Sequence, residues 1–181
     1  FVGYSIEDNV RRINRELLPG REVDVAEGVR QRDRIYLDLL RSASLQPMPG
    51  IRELVAFCRE KGWQVALASS SSREQVDLIL DNLARNGFPA TRQLDAVVCG
   101  DDVANRKPHG DIYRQMLKRL NCEPDRAMAV EDSGAGVTSA KAAGIFCVAV
   151  RSPFVPDEQL AQADWVVDSV AQLAALLKEQ A

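Results

Sequence analysis

Apolar residues recur at helical spacing from the start of the chain: Ile6, Val10, Ile13 and Leu17. Ser5 precedes them and Glu7 and Asp8 follow it, a combination that predicts a helix start, while Pro19–Gly20 ends the pattern. The spacing predicts a second amphipathic helix over 24–43, with Val25, Val29, Ile35, Leu37 and Leu40 on or near one face. No strand pattern appears before residue 45, so the chain opens with a small helical unit. Pro47 and Pro49–Gly50 mark its end and predict units of 1–46 and 47–181.

Beyond that boundary the rhythm alternates. Helices are predicted over 50–61, 73–86, 111–120, from the glycines at 134–136 to 143, and 170–178. Strands are predicted over 63–68, 95–99, 127–130, 145–150 and 165–167. Short apolar strands separated by helices predict an α/β fold, a Rossmann-like parallel sheet covered on both faces.

Composition narrows the function classes. The 181 residues are 46% hydrophobic and 27% charged, an ordinary globular balance. A net charge of −3 gives no basic footprint for nucleic acid, and no apolar run approaches membrane-spanning length. Phe1 to Arg12 lack the charged and apolar regions of a signal peptide. Cys58, Cys99, Cys122 and Cys147 are widely spaced without a CxxC, which predicts reduced thiols and a cytoplasmic setting. Oligomeric state leaves no mark in the sequence.

Three predicted strand ends carry polar groups. Ser69 to Ser72 follow the first; hydroxyls and backbone N–H groups at a helix start can cradle an anion, or the serines can simply be caps and turn residues. Lys107 lies after the second strand, with Pro108 fixing the backbone beside it. Glu131 and Asp132 end the third. Adjacent carboxylates repel each other, and a divalent cation relieves the repulsion. Oxygen ligands suit Mg²⁺, although the pair would equally serve as an acidic helix cap. In parallel sheets ligands bind at the carboxyl ends of strands. Hydroxyl, ammonium and carboxylates on one edge would hold a phosphoryl group and its Mg²⁺, and phosphoryl transfer needs mainly such positioning and charge neutralisation.

The segments ALASSSS (66–72), RKPHGDIY (106–113) and VEDSGAGVTSAKAAG (130–144) resemble the second, third and fourth motifs of the haloacid dehalogenase superfamily, in its branch of sugar-phosphate phosphatases and β-phosphoglucomutases. Residues 1–45 are similar to that branch's small helical cap, with FVGYSIEDNV like a typical cap segment. The resemblance implies a Mg²⁺-dependent phosphatase acting on a small phosphorylated metabolite. Ser69 takes the phosphate-binding hydroxyl, with Ser70 beside it. Lys107 takes the lysine that bridges nucleophile and phosphoryl group. Asp132 takes the Mg²⁺ carboxylate, supported by Glu131. Arg32 and His109 are candidate substrate contacts.

The family's nucleophilic aspartate and its general acid/base lie on a central strand before the cap, and no such motif occurs here. Asp101 and Asp102 follow the wrong strand to replace them. The resemblance places the absent strand between those at 63–68 and 127–130, where its lack would leave buried backbone groups unpaired at about 1–3 kcal/mol each. A natural sequence extending before Phe1 is the expectation. Gly110 stands where the family's lysine loop has proline, and Ile6 where the mutase cap has arginine; the latter favours the phosphatase over the phosphomutase. A third reading, a dinucleotide-binding domain, rests on Gly134-x-Gly136 after a strand and on Arg151, but the acids before the glycines would repel a pyrophosphate.

Overall fold

The computed structural model describes residues 6–180. The segment FVGYS, with its predicted cap at Ser5, lies outside them. Two compact units divide between Ala43 and Ser44. The proline cluster predicted the boundary slightly later. Ser44 and Leu45 go with the second unit because they bond to the side chains of Asn86 (2.9 Å) and Asn82 (2.8 Å) there.

The first unit is a helical hairpin of α1 (Ile6–Leu17) and α2 (Val25–Ser42). Asn14 clamps the connection, its amide bonding both the N–H and the carbonyl of Val23. Asp24 caps α2 by accepting from Glu27 N. Gly28 lets the helices approach, since a Cβ there would sit 2.8 Å from Val10 Cγ1. The predicted apolar face of α2 is only partly used: Leu40 is buried, whereas Ile35 is 61% exposed.

The second unit runs α3 (Ile51–Glu60), β1 (Ala66–Ala68), α4 (Arg73–Arg85), β2 (Ala96–Val98), α5 (Asp111–Leu120), β3 (Met128–Glu131), α6 (Gly134–Ala142), β4 (Phe146–Val150), β5 (Trp165–Val167) and α7 (Val170–Glu179). Every ladder is parallel, as predicted. The strands do not form one sheet, however. β1 pairs only with β2, and β3–β4–β5 form a separate sheet. Among the described residues no strand bridges β1 and β3. The first strand is also shorter than 63–68: Trp63 N closes α3 on Cys58 O, and Trp63 stacks edge-on against Phe57 at 5.6 Å, so regular pairing starts at Ala66.

Strand pleat sorts the core into layers. On one face, Ala66, Ala68, Ala96 and Val98 meet Ile112 and Met116 of α5, while Ala129, Cys147 and Ala149 meet Tyr113 of α5 and Val137 and Ala140 of α6. On the other, Leu67 and Val97 meet Val76 and Leu80 of α4, while Val130, Val148 and Val150 meet Leu54 of α3 and Leu173 of α7. Glu131, two residues after Ala129, must therefore point toward α5 and α6.

Candidate functional site

Lys107 sits in the loop before α5, next to a cis peptide bond to Pro108. Its ammonium donates to Ala68 O, at the end of β1, at 3.0 Å and to Glu131 Oε1, at the end of β3, at 2.5 Å. The lysine thus joins the carboxyl ends of the two sheets. Both side chains of this ion pair are largely buried, 12% and 6% exposed. An ammonium has three N–H groups. Two are used, and the third has no hydrogen-bond acceptor among the described residues.

The residues around this pair fall into place from their neighbours. Ser69 directly follows Ala68; its N–H continues the strand ladder to Val98 O, and its hydroxyl accepts from Ser71 N at 3.1 Å. The Ser70 hydroxyl oxygen is buried and without a partner among the described residues. The opening of α4 is a less open anion cradle than the serine run suggests. Ser72 caps it by accepting from Gln75 N, and Asp101 takes the N–H of Arg73. Gly100 lets these loops meet, since a Cβ there would lie 2.4 Å from Ser70 O.

Glu131 and Asp132 are adjacent in sequence but differ in environment. Glu131 is turned into the protein by the strand pleat. Besides Lys107 it accepts a hydrogen bond from the buried Tyr113 hydroxyl, again on Oε1. Its Oε2 lies against Gly136, where an added Cβ would be 1.8 Å away. Asp132 is exposed and carries no side-chain partner among the described residues. Neither acid caps α6. Ser133 does, accepting from Gly136 N at 3.1 Å. Glu131 therefore serves Lys107 and Tyr113, and Asp132 is the carboxylate free to meet a cation. No cluster of three or more metal-binding side chains occurs among the described residues. One or two carboxylates with waters and phosphate oxygens suit Mg²⁺, so the donor set fits that ion in kind.

The other candidates form no hydrogen bond or ion pair with either side chain of this pair, and each is engaged locally. His109 is exposed in the lysine loop, and its main chain is the engaged part: its carbonyl accepts from the fully buried Ser139 hydroxyl at 2.6 Å. Arg32 belongs to the first unit, where it pairs with Asp33 at 2.9 Å and lies 4.5 Å over the Tyr36 ring. Asp101 and Asp102 are occupied. Asp101 pairs with Arg106, and Asp102 with Arg73 and Arg119. Backbone donation from Cys99, reinforced by both arginines, holds the Asp102 carboxyl below the usual range. Burial, with Glu131 close by, pushes the Cys147 thiol up to about 11, so it stays protonated. Tyr113 was not singled out in the sequence. Its signal was a tyrosine on the apolar face of α5, between Ile112 and Met116, where a buried hydroxyl requires a partner.

Residues 3–150 match the family described as haloacid dehalogenase-like hydrolase. The chain belongs to that family. Among curated relatives, the protein CbbY of Cereibacter sphaeroides is 34% identical over 152 residues, 84% of this chain and 65% of the relative. The phosphorylated carbohydrates phosphatase of Thermotoga maritima is 36% identical over 115 residues, 64% of this chain and 49% of its own length. The chain thus spans two thirds or less of these relatives. The solved structure of a CbbY mutant from Rhodobacter sphaeroides in complex with xylulose-(1,5)bisphosphate shares 31% identity at a TM-score of 0.75, covering 93% of this chain and 75% of that one.

Membership of this family disposes of the dinucleotide reading, and the site supplies the physical reason. The buried Glu131 carboxylate lies against Gly136, on the backbone that a pyrophosphate would have to approach. Arg151 is likewise engaged, by Asp157 and Asp168.

Proposed function

We propose that this chain is the phosphate-handling part of a Mg²⁺-dependent phosphatase that hydrolyses a small phosphorylated metabolite, a sugar phosphate or similar. The observation that carries the reading is the Lys107 ammonium held between Ala68 O and Glu131 with one N–H left over. An ammonium anchored in this way keeps its position while a phosphoryl oxygen takes the remaining donor. The similarity to a phosphatase of phosphorylated carbohydrates, and to CbbY seen with a sugar bisphosphate, supports the substrate class.

In this reading Ser69 donates its hydroxyl proton to a phosphate oxygen, its oxygen already being fixed by Ser71 N. Lys107 neutralises charge building on the phosphoryl group in a poorly hydrated setting, where such neutralisation is strongest. Asp132 would hold Mg²⁺, which would withdraw charge from the phosphoryl oxygens. The nucleophile is an aspartate on a strand seated between β1 and β3, the two strand edges that Lys107 spans. It attacks phosphorus, the alcohol leaves, and water then releases phosphate from the aspartyl phosphate. Residues 1–46 act as the cap that selects substrate; Arg32 within it and His109 in the lysine loop are the candidate substrate contacts.

The test is inorganic phosphate release by the full-length protein from a panel of sugar phosphates with Mg²⁺. Release that stops on chelation, needs no added bisphosphate and falls at least about a hundredfold in Lys107→Ala and Asp132→Asn is the expected outcome. Absence of release from every monophosphate and bisphosphate offered overturns the reading; a strict bisphosphate requirement replaces it with the mutase.

A further inference from the structure

Tyr113 has no part in the steps above, yet it contacts both members of the ion pair that carries them. Its side chain is buried on α5. Its hydroxyl donates to Glu131 Oε1, the oxygen that also receives Lys107. Its ring lies beneath the same ammonium, with Nζ 5.1 Å from the centroid. Burial, and then the Glu131 charge, push the phenol well above its usual range, so it remains a donor at every working pH. Oε2 faces Gly136 and receives no hydrogen bond among the described residues, so both donors converge on Oε1.

These contacts divide one oxygen between two donors. A buried carboxylate deprived of the phenol would draw its only remaining cation closer, away from Ala68 O and from any phosphoryl group. With the phenol in place, the lysine holds Glu131 with one N–H, Ala68 with another, and keeps the third available. We infer that Tyr113 is a positioning residue: by bonding Glu131 Oε1 and flooring the ammonium, it sets where the free N–H of Lys107 meets a phosphoryl oxygen. The inference rests on the phosphatase reading and names an element of that site.

Tyr113→Phe keeps the ring and removes the hydroxyl. In the full-length protein we measure its melting temperature, its kcat and KM on a sugar phosphate that the wild type hydrolyses, and its Kd for inorganic phosphate with Mg²⁺ by calorimetry. A hydrogen bond to a charged group typically carries enough energy for about a tenfold effect. The expected result is a folded variant with kcat lowered and phosphate Kd raised by roughly that factor. In a Lys107→Met background the same substitution changes phosphate affinity no further, since the group it positions is gone. Unchanged kinetics and Kd in Tyr113→Phe overturn the inference and leave the phosphatase reading standing. A variant that fails to fold also overturns it, because the hydroxyl is then a structural support. Should the wild type bind phosphate but hydrolyse no ester, the Kd comparison alone decides. Should it bind no phosphate, inference and reading fall together.

Discussion

Lys107 and Glu131 show how much can depend on one buried pair. Removing one member leaves the other charged and desolvated, which typically destabilises a protein by about 3–5 kcal/mol. Lys107→Ala should therefore lose stability as well as turnover. Adding Glu131→Gln should return much of the stability, seen in urea denaturation, and none of the activity. Asp102 allows a prediction with a defined sign. Its folded pKa is depressed below the usual 3.8 by backbone donation from Cys99 and by Arg73 and Arg119. The stabilisation is thus fully present above about pH 4 and fades as pH falls through the lower folded value. Asp102→Asn should be less stable than the wild type at neutral pH, and the gap should narrow in acid, as measured by thermal unfolding from pH 7 down to pH 2.

At the scale of elements, the helices and the parallel direction of the strands were legible because their signals are local. Apolar spacing, serine caps and glycine ends place α4, α6 and α7 to within a residue or two of their observed bounds. The split into two sheets was legible only through the resemblance, since strand adjacency is a long-range property. The Lys107, Ser69 and Asp132 positions came from motif order. The separate fates of Glu131 and Asp132 were open to a simpler argument, because period-two alternation from Ala129 already sends Glu131 to the α5 face. Tyr113 and the Ser139–His109 bond escaped, because neither reveals its partner in sequence. Docking of elements can be tested at Gly50, the left-handed residue (φ 91°) at the start of α3, where a Cβ would lie 2.3 Å from Ala171 N of α7. Gly50→Ala should cost about 2 kcal/mol or more through backbone strain and the clash combined, read as a lowered urea midpoint.

Across the whole second unit, the two sheets share their helical layers but no backbone ladder. β1 and β2 contribute three residues each, a pairing too small to be stable alone. The ladder of β3, β4 and β5 lies over α3, α5, α6 and α7 and is supported more broadly. Hydrogen exchange should follow this division: amides of Ala66–Ala68 and Ala96–Val98 should exchange sooner than those of Phe146–Val150. Equal protection across both sheets would show that helix packing alone welds them.

The wall that Gly136 presents to Glu131 reaches beyond this one sequence. With the carboxylate oxygen 1.8 Å from where a side chain would begin, the two positions are free to vary only in concert. Shortening position 131 to aspartate withdraws the oxygens by one methylene and admits alanine at 136, whereas alanine there opposite glutamate would expel the acid from the lysine. Descendants and cousins of this chain should therefore inherit the two positions as a linked couple.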